Sequence, residues 1–162
     1  MEHLYIVDEN DEVVEIKPRH ELTSDDRSRA SVLWLMNTNG EILIARRSEN
    51  KRSFPGLWSY AVTGAVSHPE SYEEAILREM EEELGIRGFV PEIFEKIYHE
   101  FPEGKVFGQT FKLIIPHDYN IVHDSVEVAE VKWVTPGELL ILLEENPDKF
   151  VRGFKEEVKY FL

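Results

Sequence analysis

The chain has no cysteine among its 162 residues. This absence excludes disulfide bonds, thiolate metal sites and a cysteine nucleophile, and it agrees with a reducing cytosol. Basic charge is also scarce, because 18 Lys and Arg residues face 32 Asp and Glu residues and leave a formal net charge of −14. Nucleic-acid polymers and anionic membranes bind clustered basic residues, so neither is the expected partner. A small phosphorylated ligand remains compatible with this charge if cations mediate its binding.

Long apolar runs are missing as well. No segment approaches the roughly 20 apolar residues of a membrane helix, and residues 1–12 lack the basic and apolar regions of a signal peptide. We therefore expect a cytoplasmic protein. The length and the 42% apolar content are sufficient for one core, and no repeat or linker divides residues 1–162, so a single domain is expected.

Short apolar runs separated by polar turns predict strands along most of the chain. The first pair forms a hairpin around residues 8–12 and belongs to an N-terminal extension, residues 1–27, whose free edge could pair in a homodimer. A calcium loop starting at Asp8 would require Gly and Glu where Val13 and Arg19 stand, so a solvated turn is expected there. Further strands are predicted at residues 29–36, 41–46, 59–62, 93–101, 106–115 and 126–134. The first two of these should form a hairpin around residues 37–40, and the strands at 93–101 and 106–115 another around residues 102–104.

The central helix has clear end signals. Ser71 followed by Glu74 is the capping-box pattern, and Gly85 suits the left-handed residue after a helix, so the helix should span residues 72 to about 84. At about 100° per residue, one face forms an apolar stripe. That stripe contains Ile76, Leu77, Met80 and Leu84.

Two helices are predicted after the last strand. Thr135, Pro136 and Glu138 form the start of one, and a final helix is expected from residue 147 to the C-terminus. Strands, one central helix and C-terminal helices that share a core predict an α/β sandwich.

Carboxylates crowd one border of the central helix, where Glu79, Glu82 and Glu83 lie side by side. Such like charges repel by about 0.2 to 0.5 kcal/mol per pair, and glutamates near the helix C-terminus also oppose the helix dipole. A bound divalent cation would reverse both penalties, and a ligand set of oxygens alone favours Mg²⁺ or Mn²⁺ over zinc. Arg78 lies four residues from both Glu74 and Glu82 and can orient a carboxylate.

These carboxylates belong to a longer pattern with fixed spacing. It consists of Gly64, Glu70, Arg78-Glu79, Glu82-Glu83 and Gly85-Ile86. Residues 64–86 resemble the Nudix box at every specified position. The resemblance implies an α/β/α sandwich with a central mixed sheet, and hydrolysis of a nucleoside diphosphate linked to another moiety. It also implies that Glu79, Glu82, Glu83 and the Gly64 carbonyl hold the metal ion, while Glu70 braces the loop.

Candidates outside the box complete the predicted chemistry. A carboxylate must accept the proton of the attacking water. The resemblance implies that this base comes from a segment beyond the helix, where Glu127, six residues before Trp133, is the candidate. Its competitors are Glu100, Glu103 and Glu130. Arg46 and Arg47 close a strand that should point towards the cleft, so they are candidates for phosphate binding. The six histidines show no ligand spacing and are expected at the surface.

Two other functions are compatible with parts of the sequence. The stretch from Arg46 to residue 69 is also similar to the isopentenyl-diphosphate isomerases, but Thr63 and Ala65 stand where those enzymes need Cys and His. A non-catalytic sensor that binds a nucleotide-like ligand is the alternative from another class, although it would not need the intact carboxylates. The substrate stays open among nucleoside triphosphates, nucleotide sugars, dinucleotides and prenyl diphosphates.

Overall fold

The structure, a computed structural model, describes all 162 residues. It contains nine strands and three α-helices. In chain order these are β1 (His3–Val7), β2 (Val13–Pro18), β3 (Arg27–Asn37), β4 (Ile42–Arg47), β5 (Trp58–Ser59), β6 (Val62–Ala65), α1 (Tyr72–Leu84), β7 (Glu92–Phe101), β8 (Gly104–Ile115), β9 (Val128–Val134), α2 (Pro136–Glu145) and α3 (Phe154–Glu157).

The large sheet is organised around β3. This strand pairs in parallel with β8 along its whole length, and β8 pairs with β7 as the predicted antiparallel hairpin. The predicted hairpin of β3 and β4 is confirmed only next to its turn, where Met36 pairs with Ile42. Beyond that point β6 occupies the edge of β3, so β4 diverges and pairs with β9 and β5 instead.

Helices cover both faces of this mixed sheet, which confirms the predicted α/β/α sandwich. Alternate residues of β3 point to opposite faces: Leu33 packs in the core under α1, whereas Trp34 packs in the core under α2 and α3. Both side chains are almost completely buried. None of the helices has the length and apolar character needed to cross a membrane.

Helix α1 has the predicted ends. The Ser71 hydroxyl accepts a hydrogen bond from the Glu74 amide while the Glu74 carboxylate accepts one from the Ser71 amide, and Gly85 has φ 66°. The predicted stripe was wrong at Leu77, which is 41% exposed. Ala75 is fully buried, because the buried face is rotated about the helix axis, away from Leu77 and towards the side of Glu79 and Glu83.

The predicted final helix was wrong. The segment after α2 consists of a 3₁₀ turn (Pro147–Lys149), the single turn of α3, and a second 3₁₀ turn (Val158–Tyr160). Gly153 interrupts it with φ 85°, a left-handed backbone that other residues rarely adopt. This reversal lets Phe150 and Phe154 both reach the core.

The N-terminal hairpin forms a separate two-stranded sheet. Its turn is less solvated than expected, because the Asp11 carboxylate is only 8% exposed and pairs with Arg29 at 2.7 Å and Lys96 at 2.6 Å. Burial opposes ionisation, but these hydrogen bonds and one from Tyr72 lower the pKa of Asp11. The turn therefore anchors the hairpin to the sheet. Pairing of the exposed strand β2 in a homodimer stays a prediction.

Candidate active site

A cleft of about 970 Å³ brings together most of the candidate site residues. Its floor consists of small and apolar residues on alternate positions of β3, β8 and β6, among them Ala30, Gly108 and Thr63. The candidates that line it are Gly64, Arg78, Glu79, Glu82, Glu83, Glu127 and Arg47. Arg46 does not line the cleft.

The contact between Gly64 and Glu79 joins β6 to α1. A Cβ atom added to Gly64 would lie 2.4 Å from the carboxyl carbon of Glu79, so only glycine allows this approach. The Glu79 side chain is 14% exposed, and its burial raises its pKa despite the neighbouring Arg78. The glycine therefore sets the position of one carboxylate at the edge of the core.

The three box glutamates differ in their exposure to water. Glu83 is 5% exposed, whereas the Glu82 side chain is 57% exposed. Burial, with a further contribution from the charge of Glu79, raises the pKa of Glu83 to about 8. The ammonium group of Lys51 opposes this shift without cancelling it. A buried carboxylate with such a pKa lacks a compensating positive charge.

Arg78 connects the box carboxylates with the preceding loop. Its guanidinium donates to both oxygens of Glu70, at 2.6 and 2.9 Å, and to Glu79 at 2.9 Å and Glu82 at 3.2 Å. The hydrogen bond to Glu70 is the main cause that raises the pKa of Arg78. Glu70 in turn accepts a hydrogen bond from the Ser67 amide. Arg78 thus positions carboxylates, and it has no contact with Glu74, which is used for the helix cap.

Glu127 is an acidic residue outside the box that lines the same cleft as the box carboxylates. It forms an ion pair with Lys51, and its charge is one of the causes that raise the pKa of Glu83. Of the three competing glutamates, Glu103 also lines the cleft, and all three have other partners. They pair as Glu100 with Lys105, Glu103 with Arg152, and Glu130 with Arg46.

The two adjacent arginines at the end of β4 have different surroundings. Arg47 lines the cleft and donates to the Ser53 carbonyl oxygen at 2.9 Å. Burial lowers its pKa, and the charges of Glu83 and Glu127 oppose this shift. Arg46 instead lies 3.2 Å from Glu130, on the paired strand β9. Because neighbouring strand residues point to opposite sides, only Arg47 can face a ligand in the cleft.

Part of the cleft wall was not anticipated from the sequence. The hydroxyl of Tyr60 donates to Glu157 at 2.5 Å, and both residues are 7% exposed. Burial raises the pKa of Glu157 to about 7. His99, expected at the surface, has a side chain only 22% exposed, and its ring stacks on Phe101. No local motif marks these residues, because they come from separate parts of the chain.

The donor chemistry of the cleft fits a divalent cation. Glu79 and Glu83 are carboxylates whose burial raises their pKa values, and a bound cation would favour their charged forms. Their oxygens, with the Gly64 carbonyl, are the ligand type preferred by hard cations. No three Asp, Glu or His side chains already converge as a ligand set. Glu82, which is largely exposed, has the freedom to turn towards a shared ion.

Comparison with known families agrees with this geometry. Residues 25–154 match the family model described as NUDIX domain. The chain belongs to the Nudix family. It is a hydrolase that acts on phosphoric anhydrides, as members of this family do, and they generally need a divalent metal ion.

Several relatives of this Nudix hydrolase match over most of their length. The chain is 33% identical over 145 residues to the uncharacterized Nudix hydrolase YfcD of Escherichia coli K12, covering 88% of this chain and 79% of that protein. It is 33% identical over 161 residues to the prenyl-diphosphate phosphatase of Methanosarcina mazei, covering 94% and 90%. The crystal structure of DR0079 from Deinococcus radiodurans superimposes with a TM-score of 0.79 at 28% identity, covering 98% of both chains.

Proposed function

We propose that this Nudix hydrolase cleaves the diphosphate linkage of a small nucleoside-diphosphate-linked molecule, with Mg²⁺ as cofactor and Mn²⁺ as a substitute. Glu79, Glu82, Glu83 and the Gly64 carbonyl would hold the ion. The observation that carries this proposal is the pair of desolvated carboxylates, Glu79 and Glu83, at one cleft that is large enough for a nucleotide. When bound, the cation neutralises phosphate oxygens and lowers the pKa of a bound water.

The remaining chemistry is assigned to side chains of the cleft. In the reaction the water oxygen bonds to one phosphorus, and the bridging P–O bond breaks with its oxygen left on the other phosphate. Glu127 accepts the water proton, since it lines the cleft and its charge acts on the buried box carboxylate Glu83. Arg47 donates to a phosphate oxygen, and Arg78 keeps Glu79 and Glu82 in place.

A second substrate class has specific support. The relative from Methanosarcina mazei is called a prenyl-diphosphate phosphatase, and it matches nearly the whole chain. Val32, Ile97 and Val106 give the cleft an apolar part that a hydrocarbon chain could contact. A prenyl diphosphate presents the same diphosphate group to the carboxylates, so the machinery described above would serve either substrate.

The test is phosphate or pyrophosphate release with Mg²⁺ from nucleoside triphosphates, nucleotide sugars, dinucleotides and prenyl diphosphates. Glu83→Gln should lower turnover by about a thousandfold or more, because it removes a charged group that acts at the reacting centre. Glu81→Gln is the matched control, since Glu81 lies on the same helix with its side chain 52% exposed. Tight binding of a panel member without turnover would contradict the proposal and favour the non-catalytic sensor.

A further inference from the structure

The wall of the cleft formed by Glu157, Tyr60 and His99 has features that the hydrolytic chemistry does not use. Glu157 is a carboxylate on α3, and α3 contributes nothing to the Nudix box. Its Oε1 atom accepts the hydrogen bond from Tyr60. Its Oε2 atom accepts no hydrogen bond, and Nε2 of His99 lies 3.4 Å from it. Glu157 lines the cleft, so one oxygen of a carboxylate in this wall has no hydrogen bond within the protein.

The surroundings hold this carboxylate in place. The ring of Tyr60 packs edge-on against Phe154 and Trp34. This packing fixes the position of the hydroxyl group that donates a hydrogen bond to Glu157. A Cβ atom at Gly153 would lie 2.7 Å from Glu157 Oε2, so the glycine keeps the space beside the free oxygen open. An acceptor that is rigid and desolvated discriminates strongly between ligands, because leaving it unpaired in a complex is costly.

The neighbouring surfaces suit a planar ring. The His99 ring stacks on Phe101 with a centroid separation of 5.3 Å and an angle of 12°, and both residues line the cleft. The floor beside them contains Ala30 and Gly108, which leave room above the sheet. Thr63 contributes a second polar atom, since its hydroxyl is buried without a hydrogen-bond partner and also lines the cleft.

On this basis we propose that Glu157 and Tyr60 form a specificity subsite for an amino-substituted heterocyclic base, whose exocyclic amine donates to Glu157 Oε2. The inference rests on the proposed function, because it names the part of the substrate that the hydrolase recognises. A prenyl chain would cover the free carboxylate oxygen without supplying a donor. A sugar would bring several hydroxyl groups to a wall that offers one free carboxylate oxygen. A base with a carbonyl in place of the amine would place its carbonyl oxygen next to Glu157 Oε2, so that two hydrogen-bond acceptors would face each other without a donor.

The test uses two pairs of nucleotides that differ at the recognised position: CTP against UTP, and ATP against ITP. In each pair the first base has an exocyclic amine and the second a carbonyl. Above pH 7, where Glu157 with its pKa of about 7 is ionised, we expect kcat/KM of the wild type to favour the amino base by about 30-fold in the pair that is hydrolysed faster. This is the effect of one hydrogen bond to a charged acceptor. Glu157→Gln should reduce that ratio to about threefold or less, because an amide can turn its own donor towards the carbonyl.

Two further variants separate recognition from folding. Glu156→Gln, at the exposed neighbouring position of α3, should keep the wild-type ratio. Tyr60→Phe removes the hydroxyl that orients Glu157, so it should reduce the ratio even if Glu157→Gln folds poorly. An unchanged ratio in both Glu157→Gln and Tyr60→Phe, or faster hydrolysis of isopentenyl diphosphate than of every nucleotide, would overturn the inference.

The proposed function is checked separately in the same assay. Metal-dependent hydrolysis that Glu83→Gln abolishes, with an amino-to-carbonyl ratio near one in the wild type, would leave the hydrolase standing and reject the subsite. If no nucleotide is hydrolysed, calorimetric binding of CMP against UMP and of AMP against IMP tests the subsite alone. About 30-fold tighter binding of the amino member would support it, and equal binding would reject it.

Discussion

The raised pKa of Glu83 leads to a prediction about stability as well as activity. In the metal-free protein this pKa is about 8, against an ordinary value of 4.5. A carboxyl group whose folded-state pKa is raised contributes stability that is fully present below pH 4.5 and is lost as the pH rises through 8. At about 1.4 kcal/mol for each pH unit, the loss reaches about 3 kcal/mol by pH 7.

Glu83→Gln removes this titration at almost constant volume. Without divalent ions, the free energy of unfolding of the variant should therefore rise by about 3 kcal/mol relative to the wild type between pH 4.5 and pH 7. This corresponds to about 6 to 12 °C in Tm. Mg²⁺ should largely cancel this advantage of the variant. At a hundred times its Kd the ion stabilises the wild type by about 2.7 kcal/mol, and the variant, which lacks a ligand, by much less.

The assay is urea unfolding in EDTA and in Mg²⁺ at several pH values. Glu81→Gln serves as the control and should stay within about 0.5 kcal/mol of the wild type, because Glu81 is half exposed. The reasoning is refuted if the stability difference between Glu83→Gln and the wild type does not change with pH in EDTA, or if Mg²⁺ stabilises both proteins equally.

Three further predictions concern other parts of the structure. Gly64→Ala should lower turnover by about a hundredfold while the protein stays folded, as circular dichroism would verify, because the new Cβ displaces the Glu79 carboxylate. Asp11→Asn should lower the free energy of unfolding in urea by about 3 kcal/mol, since it leaves Arg29 half-buried without its ion pair. A change below about 0.5 kcal/mol, which is typical of a surface substitution, would contradict this. The pKa of Glu157 is raised from 4.5 to about 7, so the wild type loses stability as the pH rises through this range. The free energy of unfolding of Glu157→Gln should therefore rise by about 3 kcal/mol relative to the wild type between pH 4.5 and pH 7, as pH-dependent unfolding would measure.

Local signals in the sequence predicted the parts of the fold that depend on neighbouring residues. The ends of α1 follow from the cap at Ser71 and from Gly85, both of which act within one helical turn. The β7–β8 hairpin follows from two β-rich runs around a short turn. The box residues of α1 could be predicted for the same reason, because their spacing places them on one edge of a single helix.

Features that depend on distant contacts could not be predicted in this way. The divergence of β3 and β4 results from competition with β6, which no feature of the hairpin itself indicates. The last helix was predicted as continuous because Gly153 gives no sign in sequence that its backbone is left-handed. His99 and Glu157 meet only because β7 and the C-terminal segment pack together.

The broken C-terminal segment has a consequence for how this enzyme could change over evolution or in the laboratory. Phe154 and Val158 hold the segment in the core, while Arg152 and Glu157 from the same stretch line the cleft. The carboxylates for the reaction come from residues 64–86, in another part of the chain. Substituting the cleft-lining positions of this segment, with its core side chains kept, would therefore alter the substrate-binding wall and leave the reactive centre unchanged, an arrangement that suits directed evolution towards new diphosphates.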